Sequence, residues 1–306
     1  MIGKEFKSIV EIMEAFPDEQ SCIDYLEEIR WHDGVVSPFD EDSKVYKCKD
    51  NKYYCKNTGK YFNVRTQTLY EGTKISLRSW FIAIWQFNTH KKGISSYQLS
   101  RELGITQKTA WFLLHRIRMC YGVPEDERLL EGVVQLDETF VGGRNRFRHK
   151  DKKVPNARGR SFKDKTPVFG MLEQGGRVIA QVVRDTSTRS LTPIILKRIS
   201  RKATLYTDEW GGYSLVSKLY NREYVEHRRK QYANGKVTTN AIEGFWSQFK
   251  RGIVGIYHKV SRKHLQKYVD EFSARYNWRK MSDGMKFNLF LCKTGHRLKY
   301  KELTNG

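Results

Sequence analysis

Two apolar runs in the second half of the chain each lead into an acidic residue, and this pairing limits the folds open to the chain. GVVQLDETFVGG is predicted as a strand ending in Asp137, and ATLYTDEW as a strand ending in Asp208. A Gly-Gly hairpin and an amphipathic helix lie between them, and further helices are predicted at 239–251 and 261–280. This succession predicts an α/β layered domain. Because open sheets place their sites at the carboxyl ends of strands, the two acids would meet if their strands are neighbours.

A third acidic residue, Glu243, lies near the predicted start of the helix TNAIEGFWSQFKRG, and Lys250 follows two turns later on the same face. Three clustered carboxylates repel one another unless a cation neutralises them. Mg²⁺ or Mn²⁺ takes oxygen ligands, and two such ions together catalyse phosphoryl transfer. The sequence therefore predicts Asp137, Asp208 and Glu243 as catalytic residues and metal ligands. The alternative is that each is an ordinary solvated acid.

The chain is strongly basic, since its 306 residues include 56 Lys plus Arg against 34 Asp plus Glu, a formal charge of +22. With 39% hydrophobic residues the chain can build ordinary cores, so we expect the basic residues to lie on the surface of folded domains. A surface this basic favours a polyanionic partner. Nucleic acid is favoured over a membrane surface, because no basic amphipathic helix stands alone at either end. There is no signal-peptide pattern and no apolar run of about 18 residues, and five scattered cysteines indicate a reducing compartment. We expect a soluble cytoplasmic protein without membrane spans.

The first 122 residues differ in pattern from the rest. Helical spacing at 18–31 predicts an opening helix, and short alternating pieces at 34–74 predict a small unit of β-hairpins. From residue 75 the pattern is helical again. The predicted domains are a helical segment at 1–33, the β unit at 34–74, a helix-turn-helix at 75–122 and the α/β domain at 123–306.

Two short predicted helices around Gly104 have the arrangement of a helix-turn-helix. Ser95 or Ser96 can cap the first helix, Gly104 permits the turn, and Thr106 caps the second helix. An ordinary helical hairpin is the alternative, but the compact spacing and the polar start of the second helix favour DNA binding in the major groove. The residues predicted to contact DNA in this domain are Thr106, Gln107, Lys108, Thr109 and Arg116.

Two further basic segments are predicted to contact DNA. Residues 144–165, RNRFRHKDKKVPNARGRSFKDK, have too little apolar content for a core, and we expect a flexible loop that follows phosphates beside Asp137. A solvated surface loop is the alternative. The second segment, at 228–230, precedes the third acid. The predicted contacts are Arg144, Arg146, Arg148, Lys150, Lys152 and Lys153 in the first segment and Arg228, Arg229 and Lys230 in the second.

Several longer motifs, in order over residues 18–280, together resemble one family. They are QLDETFVGG, LYTDEWGGY and TTNAIEGFWSQFKRGIVGIYHKVSRKHLQKYVDEFSARYNWR, with KYFNVRTQTLYEGTKISLRSWFIAIWQF and KGISSYQLSRELGITQKTAWFLLHRIR upstream. The chain resembles bacterial insertion-sequence DDE transposases related to the Merlin transposons. The resemblance implies a ribonuclease-H-like α/β domain, a mixed sheet with flanking helices, preceded by a small zinc-ribbon-like β unit and a helix-turn-helix. The catalytic residues that it implies are Asp137, Asp208, Glu243, Lys250 and Asn240.

The resemblance also implies a reaction. Two Mg²⁺ or Mn²⁺ ions held by the three acids would activate water to cleave at the terminal inverted repeats of an element, and the freed 3′ ends would be transferred to target DNA. Lys250 matches the positive residue that follows the third acid, and Asn240 stands where it could support Glu243. At least a dimer is expected on DNA, because two element ends must be joined. The alternatives are a DNA-binding regulator without catalysis and a structure-specific nuclease of the same fold.

The β unit departs from the family pattern at its zinc site. The first cysteine knuckle is replaced by Ser37-Pro38-Phe39-Asp40, and in the second knuckle Cys55 is followed by Thr58 where its partner would stand. Because four good ligands cannot be assembled, structural zinc is not expected. We expect aromatic residues to hold the shape of this unit without metal, namely Tyr46, Tyr53, Tyr54, Tyr61 and Phe62.

Overall fold

The computed structural model describes residues 4–122, 127–142, 149–155, 164–209, 211–225 and 238–305. The helices are α1 (Ile9–Ala15), α2 (Glu19–Arg30), α3 (Leu77–Thr89), α4 (Ser96–Leu103), α5 (Gln107–Tyr121), α6 (Thr188–Arg198), α7 (Asn240–Gly252), α8 (Leu265–Asn277), α9 (Asp283–Cys292) and α10 (Tyr300–Asn305). The strands are β1 (Val45–Lys47), β2 (Tyr53–Cys55), β3 (Lys60–Phe62), β4 (Val133–Val141), β5 (Thr166–Glu173), β6 (Val178–Val182), β7 (Thr204–Asp208) and β8 (Asn221–Val225).

The chain forms two compact units, and their boundaries differ from the predicted domains. The first unit combines Met1–Val123 with Lys280–Gly306, and the second is Pro124–Arg279. The sequence-based α/β domain ran to residue 306, whereas α9 and α10 belong to the first unit. The physical reason is aromatic packing, because the ring of Phe287 in α9 lies against Phe6 and Phe81 with centroids 5.8 and 5.6 Å apart. The last 27 residues therefore complete the N-terminal core.

Two helices joined by a glycine turn lie within the first unit, where the helix-turn-helix was predicted. The Ser95 side chain caps α4 and the Thr106 side chain caps α5. Gly104 ends α4 with a φ of +64°, a left-handed conformation that suits a residue without a Cβ. The buried face of α5 includes Ala110 and Ile117, as its apolar spacing predicts.

A three-stranded antiparallel sheet, in the order β1-β2-β3, forms the small β unit. A turn at Asp50 and Asn51 joins β1 to β2, and both residues have positive φ. Among the described residues, the hydrophobic cluster of this unit packs on one face of the sheet. Tyr53 and Phe62 stack there beside Trp31, as expected for aromatic residues that hold the unit together.

The other three aromatic residues of the β unit lie on the opposite face, so they do not build its core as predicted. Tyr46, Tyr54 and Tyr61 alternate with the buried positions along their strands. Tyr46 is 42% exposed and Tyr61 is 63% exposed. The core of the unit therefore rests on two of the five predicted aromatic residues.

The second unit is built on a five-stranded mixed sheet in the order β6-β5-β4-β7-β8. β4, β5 and β6 are antiparallel, β7 runs parallel to β4, and β8 runs parallel to β7. One face packs against α6 and the other against α7 and α8, so the sheet is buried between two helical layers. This arrangement confirms the predicted ribonuclease-H-like α/β fold. In the described part of the chain, no helix is both long and apolar enough to cross a membrane.

Candidate active site

Asp137 and Asp208 lie side by side on the two central parallel strands. β4 and β7 pair as far as Gln135 opposite Tyr206, and Asp137 and Asp208 each stand two residues beyond this last pair. One detail of the prediction was wrong, because β4 does not end at Asp137. It continues to Val141 through pairing with β5, and only its pairing with β7 stops before Asp137. The two acids therefore lie where β4 and β7 diverge.

Helix α7 approaches the sheet closely beside Asp137 because the neighbouring strand carries a glycine. Gly170 in β5 pairs with Asp137, and the two positions share a face of the sheet. A Cβ on Gly170 would lie 2.5 Å from Cζ2 of Trp246 and 3.2 Å from Cδ1 of Ile242. Because Gly170 has no side chain, α7 can pack directly against the strand at this position. The first turns of α7 therefore lie on the face of the sheet that carries Asp137.

The start of α7 is tied to β4 by a buried side chain that the sequence analysis missed. The backbone N–H of Ile242 donates to Oε1 of Gln135 at 3.0 Å, and Gln135 is almost fully buried. Gln135 stands two residues before Asp137 on the same face, so one strand holds both an acid and the anchor of α7. The only sequence signal was a carboxamide inside an otherwise apolar run.

The hydrogen bond from Ile242 to Gln135 takes the place of a side-chain cap, because Thr239 does not cap α7. It precedes α7 at the capping position, yet its hydroxyl donates to Oε1 of Glu243 at 2.8 Å and does not cap the helix. Helix N-termini leave backbone N–H groups without intrahelical acceptors, and Gln135 accepts one of them. The hydroxyl of Thr239 is therefore free to orient Glu243, which lies in the first turn of α7.

The three acids influence one another electrostatically. Burial raises the pKa of Asp137 to about 8, and the negative charges of Glu138, Asp208 and Glu243 add to the rise. Glu138 faces the other side of the sheet, where its Oε1 accepts a hydrogen bond from the hydroxyl of Tyr213 at 2.5 Å. Asp137 therefore lies in a site that favours a bound proton or a bound cation over a bare carboxylate.

The donor set suits a hard divalent cation, since all three acids offer carboxylate oxygens. Within the described ranges, however, no three His, Cys, Asp or Glu side chains are grouped closely enough to hold a metal ion together. Asp137 and Asp208 are adjacent in register, whereas the Glu243 carboxylate is engaged by Thr239. The side chains of Asn240 and Lys250 are exposed on α7.

The polar residues at the start of α5 are engaged within their own domain. Thr106 and Thr109 bond to each other through their hydroxyls, and the Gln107 amide donates to the Ser96 hydroxyl at 2.8 Å. Lys108 is exposed, and its ammonium lies 5.1 Å from the ring centroid of Tyr300. Of the four, Lys108 presents a charged group to solvent.

Arg116 is not a DNA-contacting residue in this structure, and that prediction is corrected. Its side chain is buried, and its guanidinium donates to the backbone carbonyls of Leu69, Glu71 and Leu298. Three carbonyls from distant segments satisfy the donors, so Arg116 connects parts of the N-terminal core.

The basic segment after β4 is described in part. Lys150, Lys152 and Lys153 are exposed at and after a short 3₁₀ turn. The remaining predicted contacts lie outside the described residues, namely Arg144, Arg146, Arg148, Arg228, Arg229 and Lys230. In the β unit Cys55 is buried, and nearby hydroxyls, including those of Ser37 and Ser43, outweigh the effect of desolvation and lower the pKa of its thiol to about 7.

The sheet order defines the second unit as a ribonuclease-H-like domain, and Asp137 and Asp208 on its neighbouring strands belong to a candidate acidic site. Residues 129–277 match the family described as the ISXO2-like transposase domain. The chain is 28% identical over 276 residues to an uncharacterized protein in transposable element ISH50 of Halobacterium salinarum, covering 86% of this chain and 92% of that protein. It is also 23% identical over 101 residues to an uncharacterized transposase-like protein of Haemophilus influenzae, covering 33% and 81%.

Solved structures with partial similarity include the Mos1 strand transfer complex, at 14% identity and a TM-score of 0.31, covering 72% of this chain and 79% of that one. A simian T-cell lymphotropic virus intasome has 12% identity and a TM-score of 0.28, covering 64% and 67%. The second unit thus matches a transposase family model, and most of the chain is similar to a protein of a transposable element.

Proposed function

We propose that the chain is a transposase, a metal-dependent DDE enzyme in which Asp137, Asp208 and Glu243 form the catalytic triad. The observation that supports the proposal most directly is the raised pKa of Asp137, which burial causes and to which the charges of Asp208, on the neighbouring strand, and Glu243, on α7, add. A carboxyl group whose pKa is raised by burial and by nearby acids is typical of functional sites.

The three carboxylates would hold two Mg²⁺ or Mn²⁺ ions. When bound, such ions activate an attacking oxygen and stabilise a leaving oxygen in phosphodiester chemistry. For Glu243 to take part, its carboxylate leaves the Thr239 hydroxyl and turns toward the aspartates, a rotation of one exposed side chain. Gln135 keeps the helix in place during that rotation, because it binds the backbone of Ile242 and not the Glu243 side chain.

The substrate in this proposal is the DNA at the two ends of the element, followed by target DNA. Lys108 and its helix would contact the terminal inverted repeats, and Lys150, Lys152 and Lys153 would contact phosphates near the acids. Lys250 would contact a phosphate and Asn240 would support Glu243. We propose the same phosphate-binding role for the basic residues outside the described ranges, and a dimer or larger assembly on DNA.

A strand-joining assay tests this function against its alternatives. The substrate is DNA that flanks the reading frame and ends in inverted repeats, incubated with the protein, Mn²⁺ and a target plasmid. Our proposal predicts that the 3′ ends of the substrate become covalently joined to the plasmid. Cleavage without joining would indicate a structure-specific nuclease, and binding with neither would indicate a regulator.

A further inference from the structure

The uncovered face of the small β unit carries a row of tyrosines. Tyr46, Tyr54 and Tyr61 are direct cross-strand partners on β1, β2 and β3. The rings of Tyr54 and Tyr61 have centroids 5.1 Å apart. Because neighbouring strands are about 4.8 Å apart, the row extends for about 10 Å across the sheet. Large, exposed, contiguous aromatic surface on a domain that already has a core points to a partner.

Lysines border this tyrosine row. The backbone N–H of Lys56 donates to the carbonyl of Lys44, which places the two side chains opposite each other on the tyrosine face. Lys52 stands on the same face at the other side of the row, and all three lysines are exposed. The ammonium of Lys44 lies 5.4 Å from the ring centroid of Tyr46.

The charge of this segment is unbalanced. Residues 43–65 contain seven Lys or Arg and a single acidic residue, Asp50. Like charges directly opposite across an antiparallel pair lower the stability of a sheet, so Lys44 and Lys56 are a cost to the fold. An anionic partner would offset this repulsion between the lysines. To fit the tyrosine rings as well, the partner would also need flat aromatic groups that stack on them.

We propose that the tyrosine row binds unpaired nucleotides of a DNA strand. The bases would stack on Tyr46, Tyr54 and Tyr61 while Lys44, Lys52 and Lys56 contact the phosphates. Stacking on exposed aromatic residues of a sheet and a basic border are the two features that proteins use to bind single strands. Duplex DNA is a poor fit, because its base faces are covered by stacking. This binding is independent of the proposed catalytic triad, since it requires neither metal nor cleavage.

Fluorescence anisotropy with a labelled oligo(dT) and a duplex of equal length tests the proposal, with the full chain in EDTA so that no cleavage occurs. Leucine at each tyrosine position, as Tyr46→Leu, Tyr54→Leu and Tyr61→Leu, removes the ring from the face opposite the hydrophobic cluster of the unit. We expect each change to weaken oligo(dT) binding about fivefold or more. The matching phenylalanine variants keep the ring and should stay within about twofold of the wild type.

The duplex serves as the internal control, because its affinity should not depend on the tyrosines. Equal oligo(dT) affinity in the wild type and the three leucine variants would overturn the proposal. So would a change in sedimentation of the leucine variants without a change in oligo(dT) binding, because the row would then be a protein interface.

A second measurement does not depend on whether the variants fold. A bromodeoxyuridine-substituted single strand is photo-crosslinked to the wild-type protein, and the crosslinked peptides are mapped. Crosslinks to the segment 44–61 are expected. Crosslinks confined to other parts of the chain would contradict the assignment.

Discussion

A pair of glycine-to-alanine substitutions tests the contact between α7 and the sheet, on which the position of Glu243 depends. Gly170→Ala places a Cβ 2.5 Å from Cζ2 of Trp246, whereas two carbons normally approach to about 3.5 Å or more. Trp246 and the helix that carries it must then move by about 1 Å. Overpacking of this kind costs about 1–3 kcal/mol, and we expect the upper part of this range because Ile242 is also contacted.

Gly244→Ala is the matched control on the same helix. A Cβ there has no atom within 4 Å among the described residues, and the position is exposed. Alanine should therefore stabilise the helix by about 0.5–1 kcal/mol. The second unit has a size at which 1 kcal/mol shifts the melting temperature by about 2–4 °C. We expect Gly170→Ala to lower the melting temperature by about 4–12 °C and Gly244→Ala to raise it by about 1–4 °C.

Differential scanning calorimetry of the full chain measures both shifts, and a cleavage assay measures the consequence for the site. The Gly170→Ala variant should also fail to cleave DNA, because the added Cβ moves α7, and Glu243 with it, away from the sheet. If both variants shifted the melting temperature in the same direction and by the same amount, the close approach of α7 at Gly170 would be refuted.

Three further predictions concern Asp137, its neighbour Gln135, and Lys108 on α5. With metal chelated, the folded protein holds a proton on Asp137 that the unfolded chain releases, so the free energy of unfolding falls as pH rises from about 4 to about 8. In Asp137→Asn the free energy of unfolding should no longer fall over this pH range. At pH 8.5, after allowance for solvent screening, urea unfolding should show the variant to be more stable than the wild type by about 1–3 kcal/mol. Parallel curves of stability against pH for the two proteins would contradict this prediction. Gln135→Met leaves the Ile242 N–H without its acceptor. It should lower the free energy of unfolding by about 1–3 kcal/mol and the cleavage rate at least tenfold, while DNA affinity in EDTA stays unchanged. Lys108→Ala should weaken binding to the terminal repeat and reduce the slope of log affinity against log salt by about 1, and an unchanged slope would remove Lys108 from the interface.

The sequence predicted the parts of the fold that local pattern determines. The apolar runs before Asp137 and Asp208 are strands, and β4 and β7 are neighbours, as the argument for a shared site required. Of the two candidate caps of α4 it is Ser95 that caps the helix, and Thr106 caps α5 as expected. These features depend on periodicity and capping chemistry, which act within a few residues.

Other features depend on contacts between distant segments, which local pattern does not contain. The burial of Arg116 comes from carbonyls 45–47 residues upstream and 182 residues downstream, so its helical position alone suggested a surface cation. The packing of Phe287 on Phe6 likewise joins the two ends of the chain. Gln135 was missed because its partner is a backbone N–H on another element.

One error was avoidable from the sequence. The five aromatic residues of the β unit were treated as a group, although alternation along each strand separates Tyr53 and Phe62 from Tyr46, Tyr54 and Tyr61. Because side chains of a strand alternate between two faces, only one subset could enter the core. The other subset is the tyrosine row.

The triad itself is tested most directly by metal-dependent cleavage of element-end DNA with single-residue variants. Asp137→Asn, Asp208→Asn and Glu243→Gln keep side-chain size and remove one charge each. If the three carboxylates act on one scissile phosphate, each variant binds the DNA as the wild type does and produces no cleaved 3′ end with Mg²⁺ or Mn²⁺. Wild-type cleavage by any one of the three would show that its carboxylate lies outside the reaction.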